Sequence, residues 1–172
     1  MKKIILSVAI LSLSFANAQD KEVKAAFAAV EVNNMNTVSE QISAADSKMN
    51  GNIALLEPEL QEQYYYAKGV MLVKSGKTME GAEVLAKITD LGKNKIFSGK
   101  NANKEKVYYV GKAAADASGI SNLKEEKYQP TTANKLAQII NPILQKASQA
   151  GVDAYKAEKF TLAGDKFKEV YF

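Results

Sequence analysis

The chain has 172 residues and contains no cysteine, histidine, tryptophan or arginine, so that all 23 basic residues are lysines. Without cysteine there is no disulfide, no thiolate nucleophile and no thiolate metal ligand. Without histidine there is no imidazole base or ligand, and without arginine there is no guanidinium fork for phosphate or carboxylate. These absences favour a binding or structural protein over an enzyme.

The acidic residues and glycines show no catalytic or ligand-binding pattern. Glu57 and Glu59 flank Pro58, and Glu125 precedes Glu126, as is typical of helix starts and solvated faces. The sequence contains no D-x-D-x-D-G calcium loop, no phosphate-binding loop and no dinucleotide-binding glycine motif. We therefore expect no enzymatic activity, no cofactor and no metal.

Residues 1–18 have the pattern of a secretory signal peptide. Two lysines precede an apolar run over residues 4–15, and Ala16 and Ala18 form a small-x-small cleavage site. A membrane anchor or a buried helix is the alternative, but the run is too short to span a bilayer permanently. We expect cleavage after Ala18 and export to the periplasm or cell envelope, or secretion.

Cleavage would leave residues 19–172 with 21 lysines against 19 acids, a net charge of +2 rather than +4. So small a charge gives no reason to expect a nucleic-acid partner. No later segment is long and apolar enough to cross a bilayer, so no stable membrane insertion is expected after cleavage. With no cysteine in an oxidising compartment, the fold must depend on packing alone.

Apolar residues at helical spacing predict four helices in the N-terminal half. The first two cover residues 21–32 and 37–49, with Thr37 as the expected cap of the second. The third runs from about Pro58 to Lys74. The fourth follows a cap at Thr78 and ends at Gly92. We expect two antiparallel helix pairs, residues 21–50 and 57–92.

The pattern changes over residues 93–130. Two segments rich in β-branched and aromatic residues, 95–98 and 106–110, are separated by a turn-prone segment and predict a β-hairpin at about residues 94–110. A short helix over 112–118 is expected next. Ser121 then predicts one further helical turn that extends to Lys127.

Helical spacing returns after Pro130 and predicts a third helix pair over residues 131–172. Thr131 or Thr132 is the expected cap of its first helix. Pro142 lies inside the apolar stripe and predicts either a kink or a new helix start. The last helix is expected to begin near Thr161.

The last helix pair resembles the tetratricopeptide repeat. Gly151 and Ala163 are small where two helices cross closely, and Tyr155 and Phe167 are large enough to fill the space beside them. A second, diverged copy lies upstream, with its matching positions at Tyr65, Gly69, Leu72, Gly81 and Leu85.

Both copies depart from the repeat pattern. Lys68 stands at a position that is usually apolar, Lys93 replaces a terminal proline, and Ala147 replaces an opening aromatic residue. Gly69 and Gly151 are 82 residues apart instead of about 34. The difference predicts an insertion of about 48 residues, which matches the hairpin segment.

The resemblance extends to exported bacterial tetratricopeptide proteins. It implies an all-α solenoid of antiparallel helix pairs with one β-hairpin insertion, and a non-enzymatic scaffold that binds a partner protein on a concave face. The first helix of each pair would line that face. The candidate partner-binding residues are therefore Tyr66, which we expect to be exposed, together with Lys74 and Lys156, and Tyr109 on the hairpin.

Other interpretations remain open. Tyr66 and Tyr109 could stack on sugar rings in a carbohydrate-binding envelope module. The helix that ends in Val170, Tyr171 and Phe172 lacks the polar outer face of a capping helix. We therefore expect an incomplete array at this end, completed by further repeats or by self-association through the C-terminal helix.

Overall fold

The structure, a computed structural model, describes residues 18–170, with side chains from Gln19 onward. This part of the chain is mostly helical (68%), with seven helices and a small three-stranded antiparallel sheet. The helices are α1 (Ala18–Glu31), α2 (Met35–Met49), α3 (Pro58–Lys74), α4 (Thr78–Lys93), α5 (Lys112–Ala117), α6 (Ala133–Lys156) and α7 (Phe160–Lys168). The strands are β1 (Ile96–Lys100), β2 (Lys106–Val110) and β3 (Lys124–Glu126).

The predicted signal peptide lies outside the described residues, apart from Ala18 at the start of α1. Ala16 is among the residues that the structure does not describe. From residue 18 to residue 170, no helix combines the length and the apolar character needed to cross a membrane.

The first helix pair, α1 and α2, closes over a core to which both helices contribute buried side chains such as Val23, Ala26 and Ile42. Asn33 adopts a left-handed backbone (φ 55°) between the helices, a conformation that asparagine tolerates better than most residues. Asn34, not Thr37, caps α2, because its Oδ1 accepts the Thr37 N–H at 3.2 Å. The expected cap was therefore placed one turn too late.

The third helix is central to the fold, and its predicted limits are confirmed. Leu60, Tyr64 and Ala67 pack against the first pair, whereas Tyr66 and Val70 belong to a second core shared with α4 and α6. Because opposite sides of α3 are both buried, this helix has no broad polar face.

Helix α4 begins at Thr78, one residue earlier than a cap at Thr78 predicts, so Thr78 is not its cap. Lys77 occupies the cap position and makes no side-chain capping bond, and the Thr78 hydroxyl donates instead to the Gly76 carbonyl at 3.4 Å. At the other end, the helix continues one residue beyond Gly92 to Lys93.

The predicted hairpin is present and forms part of a larger sheet with strand order β2-β1-β3. Strands β1 and β2 are antiparallel, with Ile96 opposite Val110 and Lys100 opposite Lys106. The helical turn expected from Ser121 to Lys127 is wrong, since residues 124–126 pair with the free edge of β1. Backbone pairing across the sheet outweighs the local capping signal there.

Helix α6 begins after Thr132, one of the two expected caps, although Thr132 makes no side-chain capping bond. The helix continues through Pro142, so no new helix starts there. A proline cannot donate to the carbonyl four residues earlier. Gln138 and Pro142 are both exposed, so water can reach that carbonyl.

The helices pack as three consecutive pairs, α1 with α2, α3 with α4 and α6 with α7. The first helix of a later pair also packs on the pair before it, since α3 contacts α1 and α2, and α6 contacts α4. The sheet packs against the C-terminal end of α4 through a third core of Leu91, Ile96 and Tyr108. The fold is thus mostly helical with a small sheet, rather than purely all-α.

Candidate functional site

Tyr66 is buried, so the expectation that it is exposed is wrong. Its side chain is only 6% exposed, and its ring lies 5.6 Å from the ring of Phe27 between α1 and α3. Burial raises the pKa of the Tyr66 phenol, while Lys135 acts in the opposite direction. The sequence pattern assigned an outward direction to this position because it could not show that α6 covers α3 there.

The two preceding tyrosines also have structural roles. Tyr64 donates its hydroxyl proton to Asp46 at 2.5 Å, and Lys68 Nζ lies 3.0 Å from the other Asp46 oxygen. This ion pair explains the lysine at a position that the repeat pattern keeps apolar. Tyr65 is half-buried and packs against all three cores, so it joins the helix pairs and the sheet.

The other three candidate partner-binding residues lie on separate elements. Lys74 and Lys156 are exposed at the ends of α3 and α6. Tyr109 is half-buried on β2, where it lies opposite Phe97, while Tyr108 faces the helices as the strand alternation requires. Within residues 19–170, no hydrogen bond, ion pair or ring contact joins any two of these candidates, so they do not form one site.

The upstream glycines mark the closest approach of α3 and α4. A Cβ added at Gly69 would lie 2.5 Å from Leu85 Cγ, and one at Gly81 would lie 2.7 Å from the Gly69 carbonyl oxygen. Only glycine fits at these positions without a shift of the neighbouring helix. Leu72 is half-buried, and its carbonyl accepts the Lys77 N–H at 3.0 Å in the turn that follows α3.

The downstream positions mark a similar crossing of α6 and α7. A Cβ at Gly151 would lie 2.7 Å from the ring of Phe167, and Ala163 is buried on the facing side of α7. Tyr155 does not fill the space beside them. It is 61% exposed and instead contacts the ring of Phe160 edge-on at 5.6 Å.

A buried carboxylate on α3 holds the start of α6, and the sequence analysis missed it. Glu62 is 2% exposed, and its Oε1 accepts the backbone N–H groups of Thr131 at 2.9 Å and Thr132 at 2.7 Å. The Thr131 hydroxyl donates to the same oxygen at 3.1 Å, and the Tyr128 hydroxyl donates to Oε2. Glu62 therefore holds the N-cap residue Thr132 and the residue before it from a distant helix, at an end of α6 where a negative charge suits the helix dipole.

The only sequence signal for this arrangement was the Thr131-Thr132 pair at a predicted helix start that lacks an acidic residue of its own. The hydrogen bonds of Glu62 fix the third helix pair on the second. Burial and the hydrogen bond to Glu62 raise the pKa of the Tyr128 phenol.

A cleft of about 580 Å³ lies between the second and third helix pairs, and we call it the interpair cleft. The α3–α4 turn and α4 contribute Lys77 and Met79, while α6 contributes Ile143, Ala147 and Ala150. The buried side chains of Ile143 and Ala147 form its floor. The cleft is therefore apolar at the bottom and open to solvent above.

Charged side chains surround the mouth of the interpair cleft. Lys77 pairs with Glu80 at 3.4 Å, and Lys166 pairs with Glu169 at 2.6 Å. Lys146 lies on the same rim without a partner among the described residues. The rim thus has an excess of one positive charge, which favours a ligand with an acidic group beside its apolar part.

The two carboxylates that line the interpair cleft, those of Glu80 and Glu169, are each paired with a lysine. Across the part of the chain that the structure describes, no three acidic side chains lie close enough to hold a metal ion. Comparison with protein-family models, with curated proteins and with solved structures gives no match. The site is therefore interpreted from its geometry alone.

Proposed function

We propose that the chain is a tetratricopeptide-like scaffold of the bacterial cell envelope that binds a segment of a partner protein in the interpair cleft. The serial packing of three helix pairs supports this, as do the close crossings at Gly69, Gly81 and Gly151. A stack of helix pairs presents an extended surface without needing chemistry at any one residue.

The interpair cleft is the observation that carries the proposal. Its volume of about 580 Å³ falls within the range of about 300–1,000 Å³ that is usual for ligand sites. An apolar floor with one unpaired lysine on its rim suits a helical or extended segment that inserts apolar side chains and places a carboxylate near Lys146. Binding of this kind needs no cofactor and no metal.

Selection from a random peptide library tests this directly, with the purified chain as bait. We expect enrichment of peptides that combine apolar and acidic residues, and NMR shifts on binding at Met79, Ile143 and Ala147. Ala150→Arg should fill the cleft and weaken binding at least tenfold. Ala28→Arg is the matched control, since Ala28 is exposed on α1, away from the cleft.

Enriched peptides that bind both variants equally well would place the interaction elsewhere and contradict the proposal. The carbohydrate-binding alternative loses one of its two residues, because the buried Tyr66 cannot stack on a sugar ring. No observation on Tyr109 favours that alternative over packing against Phe97.

A further inference from the structure

Exposed apolar side chains are concentrated on the last helix pair. Across residues 19–170, six large apolar side chains are exposed, and five of them lie on α6, α7 or the turn between them. The sixth, Val32, stands alone at the end of α1. A concentration of this kind on one element is typical of an interaction surface, whereas single exposed apolar residues are ordinary.

We call four of the five side chains the C-terminal aromatic face: Val152, Tyr155, Phe160 and Phe167, of which Phe167 also packs over Gly151 of α6. Val152 and Tyr155 are three residues apart on α6 and therefore neighbours. Tyr155 contacts Phe160 at 5.6 Å, and Phe160 and Phe167 are two turns apart on one side of α7. Leu162 points to the opposite side of α7 and is not part of this face.

Elsewhere in the fold, the faces of the helix pairs are covered by other helices. Each helix pair that comes earlier receives the first helix of the next pair, α3 on α1 and α2, and α6 on α4. Helix α7 packs mainly on α6 and receives no such helix from the described residues.

The other end of the molecule does not match this face. Apart from Val32, the exposed side chains of α1 and α2 are small, polar or charged, including Lys24, Glu31 and Ser39. A head-to-tail polymer would have to bury aromatic side chains against that polar surface. A two-fold arrangement, in which the same face meets itself, avoids this mismatch.

The charges around the face are balanced, as self-association requires. Residues 153–169 contain four lysines and four acidic residues. Among the described residues, no hydrogen bond or ion pair is made by the side chains of Lys156 at the end of α6 or of Glu158 and Lys159 in the turn. Two copies can therefore meet without net repulsion and pair these charges across the rim.

The three large aromatic side chains supply a large part of the apolar area that a dimer interface buries. With exposures of 61%, 61% and 37%, Tyr155, Phe160 and Phe167 present about 300 Å² if a whole aromatic residue has about 200 Å². One side of a standard interface has about 800 Å², of which about 450 Å² is apolar. These three side chains alone supply about two thirds of that apolar area.

We propose that two copies of this chain associate through their C-terminal aromatic faces about a two-fold axis. The dimer leaves the interpair cleft free, so this inference stands apart from the proposed function. Tyr155 and Phe160 are the central contacts, because their rings are already in contact and lose little freedom on binding.

Sedimentation equilibrium tests this with protein purified from cells that express the full sequence. We expect a monomer–dimer equilibrium between about 1 and 100 µM, the range of a weak specific interface. Phe160→Glu should raise the dissociation constant at least tenfold. Val32→Glu is the matched control and should leave it unchanged, because Val32 is exposed outside the face.

A second measurement locates the interface without altering it. The chain has no cysteine, so a single cysteine can carry a spin label without background. We expect a shorter inter-copy distance for Ala157→Cys, beside the face, than for Ser39→Cys on α2. A monomer at all concentrations, dimers that Phe160→Glu leaves intact, or a shorter distance at Ser39 would each overturn the proposal. So would a face that binds another protein while the chain alone stays monomeric.

Discussion

Removing the carboxylate of Glu62 should separate the third helix pair from the second. Glu62 accepts four hydrogen bonds, two of them from the backbone N–H groups of Thr131 and Thr132 just before α6. Hydrogen bonds to a charged group contribute about 1.5–3 kcal/mol each, but the freed donors can partly reach water. For Glu62→Ala we expect a loss of about 3–5 kcal/mol in the free energy of unfolding.

Urea unfolding followed by circular dichroism measures this loss, and hydrogen exchange shows where it occurs. The amides of Thr131 and Thr132 should exchange far faster in the variant, and those of α6 more than those of α1. Glu83→Gln is the control, since Glu83 is an exposed α4 residue without a hydrogen-bond partner among the described residues. It should change stability by less than about 0.5 kcal/mol.

A loss below about 1 kcal/mol for Glu62→Ala, with the two amides still protected, would refute the reasoning. It would mean that apolar contacts between α4 and α6, not this carboxylate, hold the third pair. Glu62→Gln distinguishes charge from shape. Its free energy of unfolding should fall by less than that of the alanine variant but by more than that of the control.

Four further outcomes are expected. Gly69→Ala should lower the free energy of unfolding by about 1–3 kcal/mol, because its Cβ would meet Leu85. Gly164→Ala, whose Cβ would meet nothing within 4 Å, should raise it by up to about 1 kcal/mol. Equal effects of the two variants in urea unfolding would contradict the close helix crossing. Pro142→Ala should raise the free energy of unfolding by about 1–3 kcal/mol by restoring a helix hydrogen bond, and a loss would contradict this. Burial and the Glu62 hydrogen bond raise the pKa of Tyr128, so the native phenol keeps its proton when the unfolded phenol loses it near pH 10. The free energy of unfolding should therefore fall above about pH 10, and Tyr128→Phe should make that decline shallower without abolishing it, because burial also raises the pKa of Tyr64, Tyr65 and Tyr66. N-terminal sequencing of the protein exported by its cells should start at Gln19, and a start at Met1 would refute the signal peptide.

The helices were predictable because their signal is local. Apolar spacing, Pro58 and the Asn and Gly turns define α1 to α4 within a few residues, and the same applies to the hairpin strands. Each of these features depends on neighbours in sequence, which the sequence shows directly.

Apart from the helix caps expected at Thr37 and Thr78, the main errors concern contacts between distant segments. Tyr66 is buried because α6 covers α3, and β3 forms because β1 has a free edge. Glu62 meets Thr131 and Thr132 across about 70 positions in the sequence. No local pattern marks such partners, so the sequence predicted the elements of the candidate site but not how they close around it.

The most direct test of partner binding in the interpair cleft is photo-crosslinking in living cells. A photoreactive amino acid replaces Ala150 in the cleft or, as the control, Ala28 on the exposed face of α1. We predict a discrete crosslinked protein at position 150 that is absent at position 28. Crosslinks at position 28 with none at position 150 would contradict binding in the cleft.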